Sequence, residues 1–265
     1  MTTENDLISV LLCVYNGEAY IEEALTSLIM QTYRNIEIIV CDDGSDDRTC
    51  DIVSAFVKKD ERIKLFTKEN TGLTKSLNYA IKLAKGDWIA RQDADDISII
   101  TRLEKQLKYT KENDLSFTTS WCERFNEKGK IDKIPKIPNQ IAFDIDLLKY
   151  GNVHTHGSFF MKKEIAQDYM YDEKCRYAQD YNLIMRLICG GVRCGIVDEV
   201  LYRLRIHNDS ISNNKGSSQA INVVNTLKEL NINSSYYIGQ YKGMGKWFFS
   251  IRRKLYIFNK TKRIS

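Results

Sequence analysis

Residues 7–45 read LISVLLCVYNGEAYIEEALTSLIMQTYRNIEIIVCDDGS, and two periodicities within that stretch decide the fold. LISVLLCV (7–14) and IEIIVC (36–41) are continuous apolar runs of strand length, the pattern of strands buried on both faces of a parallel sheet. Between them Ile21, Ala24, Leu25, Leu28 and Ile29 recur at helical spacing, with Glu18, Glu22 and Glu23 near the end where a helix favours negative charge. Strand, helix and second strand make one crossover unit.

The unit repeats. Cys50, Val53, Phe56 and Val57 predict a second amphipathic helix before the strand IKLF (63–66). Leu73, Leu77, Ala80, Ile81 and Ala84 predict a third, with Gly86 as its C-cap, before the strand WIAR (88–91). Three successive βαβ steps imply an α/β fold with a Rossmann-like, mostly parallel sheet flanked by helices. Beyond residue 97 the rhythm changes. LSFTTSWCERF (115–125) reads as a strand running to the polar turn NEKGK, and Pro135 and Pro138 bracket an irregular connection. SFFMKK (158–163) and VRCGIVDEVLYRLRIH (192–207) add strand material around a helix at 178–189, whose apolar face is Tyr181, Ile184, Met185 and Ile188. This half reads as a mixed extension of the same sheet. The expected organisation is one catalytic domain over 1–230 and a tail over 231–265.

At 265 residues, with 28% charged and 43% hydrophobic side chains, the chain has the composition of an ordinary globular protein with one good core. Seven scattered cysteines form no C-x-x-C pair, a usage that suits a reducing cytosol. The start, MTTENDL, has no basic n-region, and no window approaches the roughly 18 to 20 apolar residues of a membrane span. Neither signal-peptide secretion nor an integral membrane protein is expected.

Three polar clusters, VYNGE, CDDGSDD and RQDADD, follow the first, second and fourth predicted strands. In open α/β sheets ligands bind at that carboxyl edge. DDGS alone would be a turn and helix N-cap, and RQDADD (91–96) alone a solvated strand end. If the strand continued, Asp93 and Asp95 would project to one side and Asp96 to the other. Two carboxylates held close repel, so they share a proton or a cation. With NTGL (70–73) preceding the next helix, a nucleotide site becomes the better account. Neither G-x-x-x-x-G-K-[ST] nor G-x-G-x-x-G is present, so a divalent cation, rather than a glycine-rich cradle, is expected to hold the phosphates.

The order VYNGEAYIEEALTSLIMQTYRNIEIIVCDDGSDDRT, then NTGLTKSLNYAIKLAKGDWIARQDADD, then Arg102, resembles the nucleotide-binding half of glycosyltransferase family 2, which has the A-type glycosyltransferase fold. The match is close over residues 7–105 and looser through His207. The resemblance implies a nucleotide-sugar-binding half over 7–105 and an acceptor-binding half over 106–230. It implies that Asp43 or Asp42 hydrogen-bonds the uracil of a UDP-sugar, that the backbone near Tyr15 flanks the base, and that Asp93 lies near the ribose and sugar. Asp95 would coordinate Mn²⁺ or Mg²⁺ bridging the diphosphate. Arg91 would approach the donor, unless it merely pairs with a neighbouring aspartate.

Transfer also needs a base for the acceptor hydroxyl. In the family this is the aspartate of an acidic pair opening a helix, and YAQDYNLIMRL (177–187) is the matching stretch. Asp180 is the expected base. The usual glutamate before it is Gln179 here, which keeps a hydrogen bond to an acceptor hydroxyl but no charge. His207, in YRLRIHNDSIS, resembles the family's late histidine at the metal or diphosphate. His156, in NVHTHGSFFMKKE, falls on the acceptor-side segment; its H-x-H spacing with His154 lacks the further ligands of a zinc site. The family implies inverting transfer, giving a β-linked product.

After Glu229 no acidic side chain occurs, and GMGKWFFSIRRKLYIFNKTKRIS (243–265) mixes basic residues with aromatics. Such a stretch favours an anionic membrane surface, and no nucleic-acid-binding motif accompanies it. The expectation is a cytoplasmic protein, peripheral on the inner face of the bacterial inner membrane, that extends an undecaprenyl-diphosphate-linked saccharide for O-antigen or capsule. Competing readings are a non-catalytic sugar-nucleotide binder, favoured by Gln179, and a sugar nucleotidyltransferase, disfavoured because VYNGEAY is not a glycine- and arginine-rich loop.

Overall fold

The two apolar runs of residues 7–45 lie side by side. A computed structural model describes residues 6–126, 128–129, 131–133, 136–207, 216–233, 254 and 256–261. In it β1 (Ile8–Val14) pairs in parallel with β2 (Ile36–Asp42), in register from Ile8↔Ile36 to Val14↔Asp42. Every residue of both strands is buried. The intervening α1 (Ile21–Ile29) buries Ile21, Ala24, Leu25 and Leu28 against one face of these strands. Shortening Leu25 to alanine would cost about 2–5 kcal/mol by the cavity left behind.

α2 (Thr49–Val57), β3 (Ile63–Thr67), α3 (Leu73–Leu83) and β4 (Trp88–Asp93) complete the predicted units. The order β3-β2-β1-β4 is all parallel. The chain winds outward from β1 to β3, then crosses back to lay β4 on β1's other side. The reversal beside β1 is the topological switch point where α/β sheets bind ligands. Val14 pairs with Asp42 and Cys13 with Asp93, so two acidic strand ends flank β1, about 10 Å apart across two strand spacings.

The C-terminal half extends this sheet, as expected. β8 (Phe160–Lys162) runs antiparallel to β4, followed by β6 (Phe117–Phe125), β9 (Cys194–Arg205) and the short β5 (Ile97–Ser98), while β7 (Ile131–Lys133) pairs with β6. α4 (Arg102–Glu112) sends Leu103 and Leu107 into the same core as α1. α3, α7 (Lys163–Asp168), α8 (Gln179–Cys189) and α9 (Gly216–Glu229) cover the opposite face. The irregular connection carries two four-residue helices, α5 (Asn139–Ala142) and α6 (Ile145–Leu148), over a small third core that includes Trp121, Ile137 and Leu147. Among the described residues no helix is long and apolar enough to cross a membrane.

Two expectations need correction. Gly86 is not the cap of α3, which ends at Leu83 with an extended Ala84. Glycine is needed at 86 because a Cβ there would lie 2.5 Å from the Leu7 carbonyl oxygen. Nor does alternation place Asp95, because β4 stops at Asp93 and a turn follows. Buried Gln92 makes that turn, its Nε2 donating to the carbonyls of Asp93 and Asp96, both at 3.0 Å.

Most of the tail lies outside the described residues, including Lys242, Lys246, Arg252 and Arg253. Residues 256–261 are helical. There the Tyr256 hydroxyl (2.6 Å) and Lys260 (3.0 Å) both bond Asp144 Oδ2, and Tyr256 and Ile257 pack on the third core.

Candidate active site

The loops after β1 and β2 are fastened to each other. Asn16, in the left-handed region at φ 52°, donates from Nδ2 to Asp46 (2.7 Å) and from its backbone to Ser45 Oγ (2.9 Å). Glu18 and Asp47 exchange further bonds with this pair of loops: Glu18 N–H donates to Asp47 (3.0 Å), and Arg48 N–H donates to Glu18 (3.0 Å). Tyr15, beside them, is 52% exposed, an aromatic ring held at the mouth of the switch point.

Asp42 and Asp43 do different work. Asp42 turns inward, accepting the Ser45 N–H (2.7 Å) and the Cys50 thiol (3.1 Å), which fixes the turn into α2. Asp43 faces α3, accepting the N–H groups of Thr71 (3.0 Å) and Gly72 (2.8 Å) and an ion pair from Lys68. Burial opposes its ionisation, but Lys68 and those N–H donors outweigh it and hold the carboxyl below its usual range.

At the end of β4, buried Arg91 pairs with Asp93 Oδ1 at 2.6 Å, the alternative left open from the sequence. Burial works against the arginine's charge, but Asp93 together with Cys13, Tyr171 and Tyr202 outweighs it and leaves the guanidinium more basic than usual. Asp93 N–H also donates to the Tyr202 hydroxyl (3.0 Å). Behind this lies fully buried Arg102, which bonds Arg91 O (2.7 Å), Ser98 Oγ (2.8 Å) and Gln106 Oε1 (2.8 Å) and stands over the Tyr202 ring at 5.1 Å. Burial lowers it to about 10, so it remains charged at neutral pH.

The turn after β4 presents Asp95 outward and Asp96 inward. Asp95 Oδ2 lies 2.9 Å from His207 Nε2, just past the end of β9. Asp96 is 1% exposed and accepts the Arg205 N–H at 2.7 Å. Burial and the charges of Asp95 and Asp93 push it well above the usual carboxylate range. Arg205 binds both halves of the turn, since its Nε donates to Asp95 O (2.8 Å). Its guanidinium stacks between Tyr20 (4.7 Å) and Phe125 (4.4 Å) and pairs with Glu23.

The residues expected on the acceptor side come from later segments. His156 opens a single 3-10 turn (His156–Ser158), bonds the Tyr171 hydroxyl at 2.8 Å, and is pulled down to about 3 by burial and by Arg91, so its imidazole is neutral. Gln179 and Asp180 open α8 after Ala178, which takes the left-handed conformation at φ 55°. Burial raises Asp180, reinforced by the charge of Asp93, while the Tyr181 N–H and the Asn152 amide partly offset it. Asn152 Nδ2 donates to Asp180 Oδ2 at 2.6 Å.

Among the described residues no three His, Cys, Asp or Glu side chains converge as a ready-made metal cage. Asp95 and His207 nevertheless fit a divalent cation. Their 2.9 Å separation is close to the roughly 3 Å between adjacent ligands of an octahedral ion, and such ions commonly take one or two protein ligands plus substrate phosphates. Lys68, Asn152, Tyr171 and Arg205 escaped the sequence reading. Only Arg205 carried a signal, falling two residues before His207 in the stretch read as strand through 207, where that spacing shares one face.

A family model described as glycosyl transferase family 2 matches residues 9–170. The chain is 32% identical over 261 residues to an uncharacterized glycosyltransferase of Methanocaldococcus jannaschii, covering 96% of this chain and 89% of that one. It is also 32% identical over 208 residues to the O-antigen biosynthesis glycosyltransferase WbnJ of Escherichia coli, covering 77% and 82%. Among solved structures, S. aureus TarS 1-349 in complex with UDP-GlcNAc superposes with a TM-score of 0.69 at 19% identity, over 87% of this chain and 69% of that one. The mannosyltransferase PcManGT from Pyrobaculum calidifontis, in complex with GDP-Man and Mn²⁺, gives 0.66 at 17% identity, over 84% and 63%. The fold is the A-type glycosyltransferase fold, and the chain belongs to glycosyltransferase family 2.

Proposed function

We propose that this glycosyltransferase moves a hexose, glucose or galactose, from a UDP-sugar to a lipid-diphosphate-linked saccharide. The transfer inverts the anomeric configuration, forming a β-linkage in bacterial O-antigen or another surface polysaccharide. The observation that carries the reading is one convergence at the switch point. Asp43, Asp93 and the Asp95–His207 pair come from three strand ends, with the half-buried carboxylate of Asp180 within electrostatic reach of Asp93. The donor complexes of TarS with UDP-GlcNAc and of PcManGT with GDP-Man and Mn²⁺ support a nucleotide-sugar donor and a divalent ion, and WbnJ supports the pathway class.

Tyr15 and Asp43 bind the base, and Arg91 holds Asp93 aimed at the ribose and sugar. Asp95 and His207 hold Mn²⁺ or Mg²⁺, which when bound stabilises charge on the departing diphosphate as a Lewis acid. His156 and Gln179 line the acceptor side. Asp180 takes the proton of the acceptor hydroxyl as its oxygen attacks the anomeric carbon and the UDP bond breaks. A carboxyl raised toward neutral pH is the better matched base, and such assistance contributes about 10²- to 10⁴-fold. Asp180 with its hydrogen-bond support favours an enzyme over a degenerate binder, despite Gln179.

The test is incubation with UDP-sugars, Mn²⁺ and an undecaprenyl-diphosphate-linked sugar, read by mass spectrometry and by NMR of the product. The expected outcome is a β-linked product whose formation Asp180→Asn abolishes without loss of donor binding. Donor binding with no transfer across a broad acceptor panel would support the binder. Pyrophosphate released from a nucleoside triphosphate would support a nucleotidyltransferase.

A further inference from the structure

We infer that Asn152 is the positioning residue of the transfer, fixing which oxygen of Asp180 receives the acceptor's proton. The inference rests on the reading of Asp180 as the base. The Asn152 amide is held at both ends: its Oδ1 accepts the His154 N–H at 2.9 Å, and its Nδ2 donates to Asp180 Oδ2 at 2.6 Å. A backbone N–H only donates and an ionised carboxylate only accepts, so the amide has one workable orientation.

The hold continues inward. His154 is buried, with Nε2 2.9 Å from the Ala142 carbonyl, Nδ1 3.0 Å from Thr119 Oγ1, and its ring stacked on Phe143 at 4.2 Å. A carbonyl only accepts, so Nε2 carries its proton. Asn152 is thus pinned to β6 and α5, not to a loose loop. With Oδ2 held by Asn152 and the Tyr181 N–H also bonding the carboxylate, the rotation of the Asp180 carboxylate is fixed, and with it the oxygen lone pair presented to an acceptor hydroxyl.

The same bond sets basicity. The charged or titratable groups that reach Asp180 are Asp93 from the end of β4 and Tyr171 ahead of α8. Asp93 disfavours a second negative charge beside it, whereas the Tyr171 hydroxyl, pushed up by burial, stays neutral. The Asn152 amide works the other way, favouring the ionised carboxylate that a base must be. Losing the amide should therefore raise the proton affinity of Asp180 and loosen its orientation.

Asn152→Ala is predicted to shift the ¹³C-NMR titration of the Asp180 carboxyl upward by about one pH unit, with Asp180→Asn identifying the resonance. This measurement needs no sugar donor. In turnover, with the donor and acceptor found above, the acid limb of kcat should move up in step, and kcat should fall about 10- to 100-fold, the scale of a lost hydrogen bond to a charged group. Asn152→Asp should titrate as a carboxyl pair sharing a proton. An unmoved Asp180 titration in Asn152→Ala, with native thermal stability, would overturn the inference. If Asp180→Asn still transfers sugar, it is instead the base assignment that fails, whatever Asn152 does to the titration.

Discussion

His207 Nε2 lies 2.9 Å from Asp95 Oδ2, although 112 residues separate them and they follow strands in different halves of the sheet, β4 and β9. A cation bound there would be shared by both halves. His207→Ala should weaken Mn²⁺-dependent UDP binding, measured by calorimetry, by about 10- to 100-fold, and Asp95→Ala should weaken it at least as much. Binding with an unchanged Mn²⁺ requirement would remove His207 from the metal site.

Gly157 tests the packing behind Asp93. A Cβ there would overlap the Tyr202 hydroxyl and ring carbons, and that hydroxyl accepts the Asp93 N–H. Gly157→Ala should cost about 1–3 kcal/mol by overpacking, read by urea denaturation, and should weaken donor binding because Asp93 shifts with Tyr202. A variant with an unaltered midpoint would mean the ring swings aside freely.

His156 gives a pH signature. Burial, with Arg91 beside it, lowers its folded value to about 3, against about 6.5 unfolded. The unfolded chain therefore binds the extra proton in that window. His156 contributes stability that is fully present above pH 6.5 and is lost as pH falls toward 3, at up to about 1.4 kcal/mol per unit. Asp96 and Asp180, raised in the fold, slope the opposite way, holding protons the unfolded chain has released. Comparing His156→Gln with the parent cancels them. The parent's denaturation free energy should fall relative to the variant's as pH drops below 6.5, and parallel curves from pH 6.5 to 4 would contradict the assignment.

The tail calls for a sharper test than truncation. Tyr256 and Lys260 bond Asp144, so deleting residues 242–265 would also uncover the third core. Replacing Lys242, Lys246, Arg252 and Arg253 by glutamine retains the Tyr256 and Lys260 side chains that bond Asp144. If the tail binds an anionic surface, each lost charge removes up to about 1 kcal/mol, and sedimentation with phosphatidylglycerol vesicles should fall steeply. Undiminished sedimentation would sink the membrane proposal.

The parallel half was legible because its strands are buried on both faces and its helices on one, a contrast that leaves two distinct apolar periods in residues 7–93. The order β3-β2-β1-β4 left no such trace, since strand order depends on how units pack rather than on any one segment. α5 and α6 went unseen because four residues are too few to display a helical period. In the site, carboxylates at strand ends announced themselves by crowding. Asn152 and Lys68 did not, because a single polar residue in a loop acquires its meaning only from the partner that folding brings to it.

The pairing of β5 with β9 has a consequence for synthesis. Ile97–Ser98 leaves the ribosome early, yet its partner at Tyr202–Arg203 arrives a hundred residues later, and His207 later still. The parallel half can collapse around its own local contacts while the edge at β5 waits, a long loop closure of the kind that slows folding. A nascent chain would therefore carry Asp95 in an open turn and remain inert toward activated sugar until the last strand is inserted.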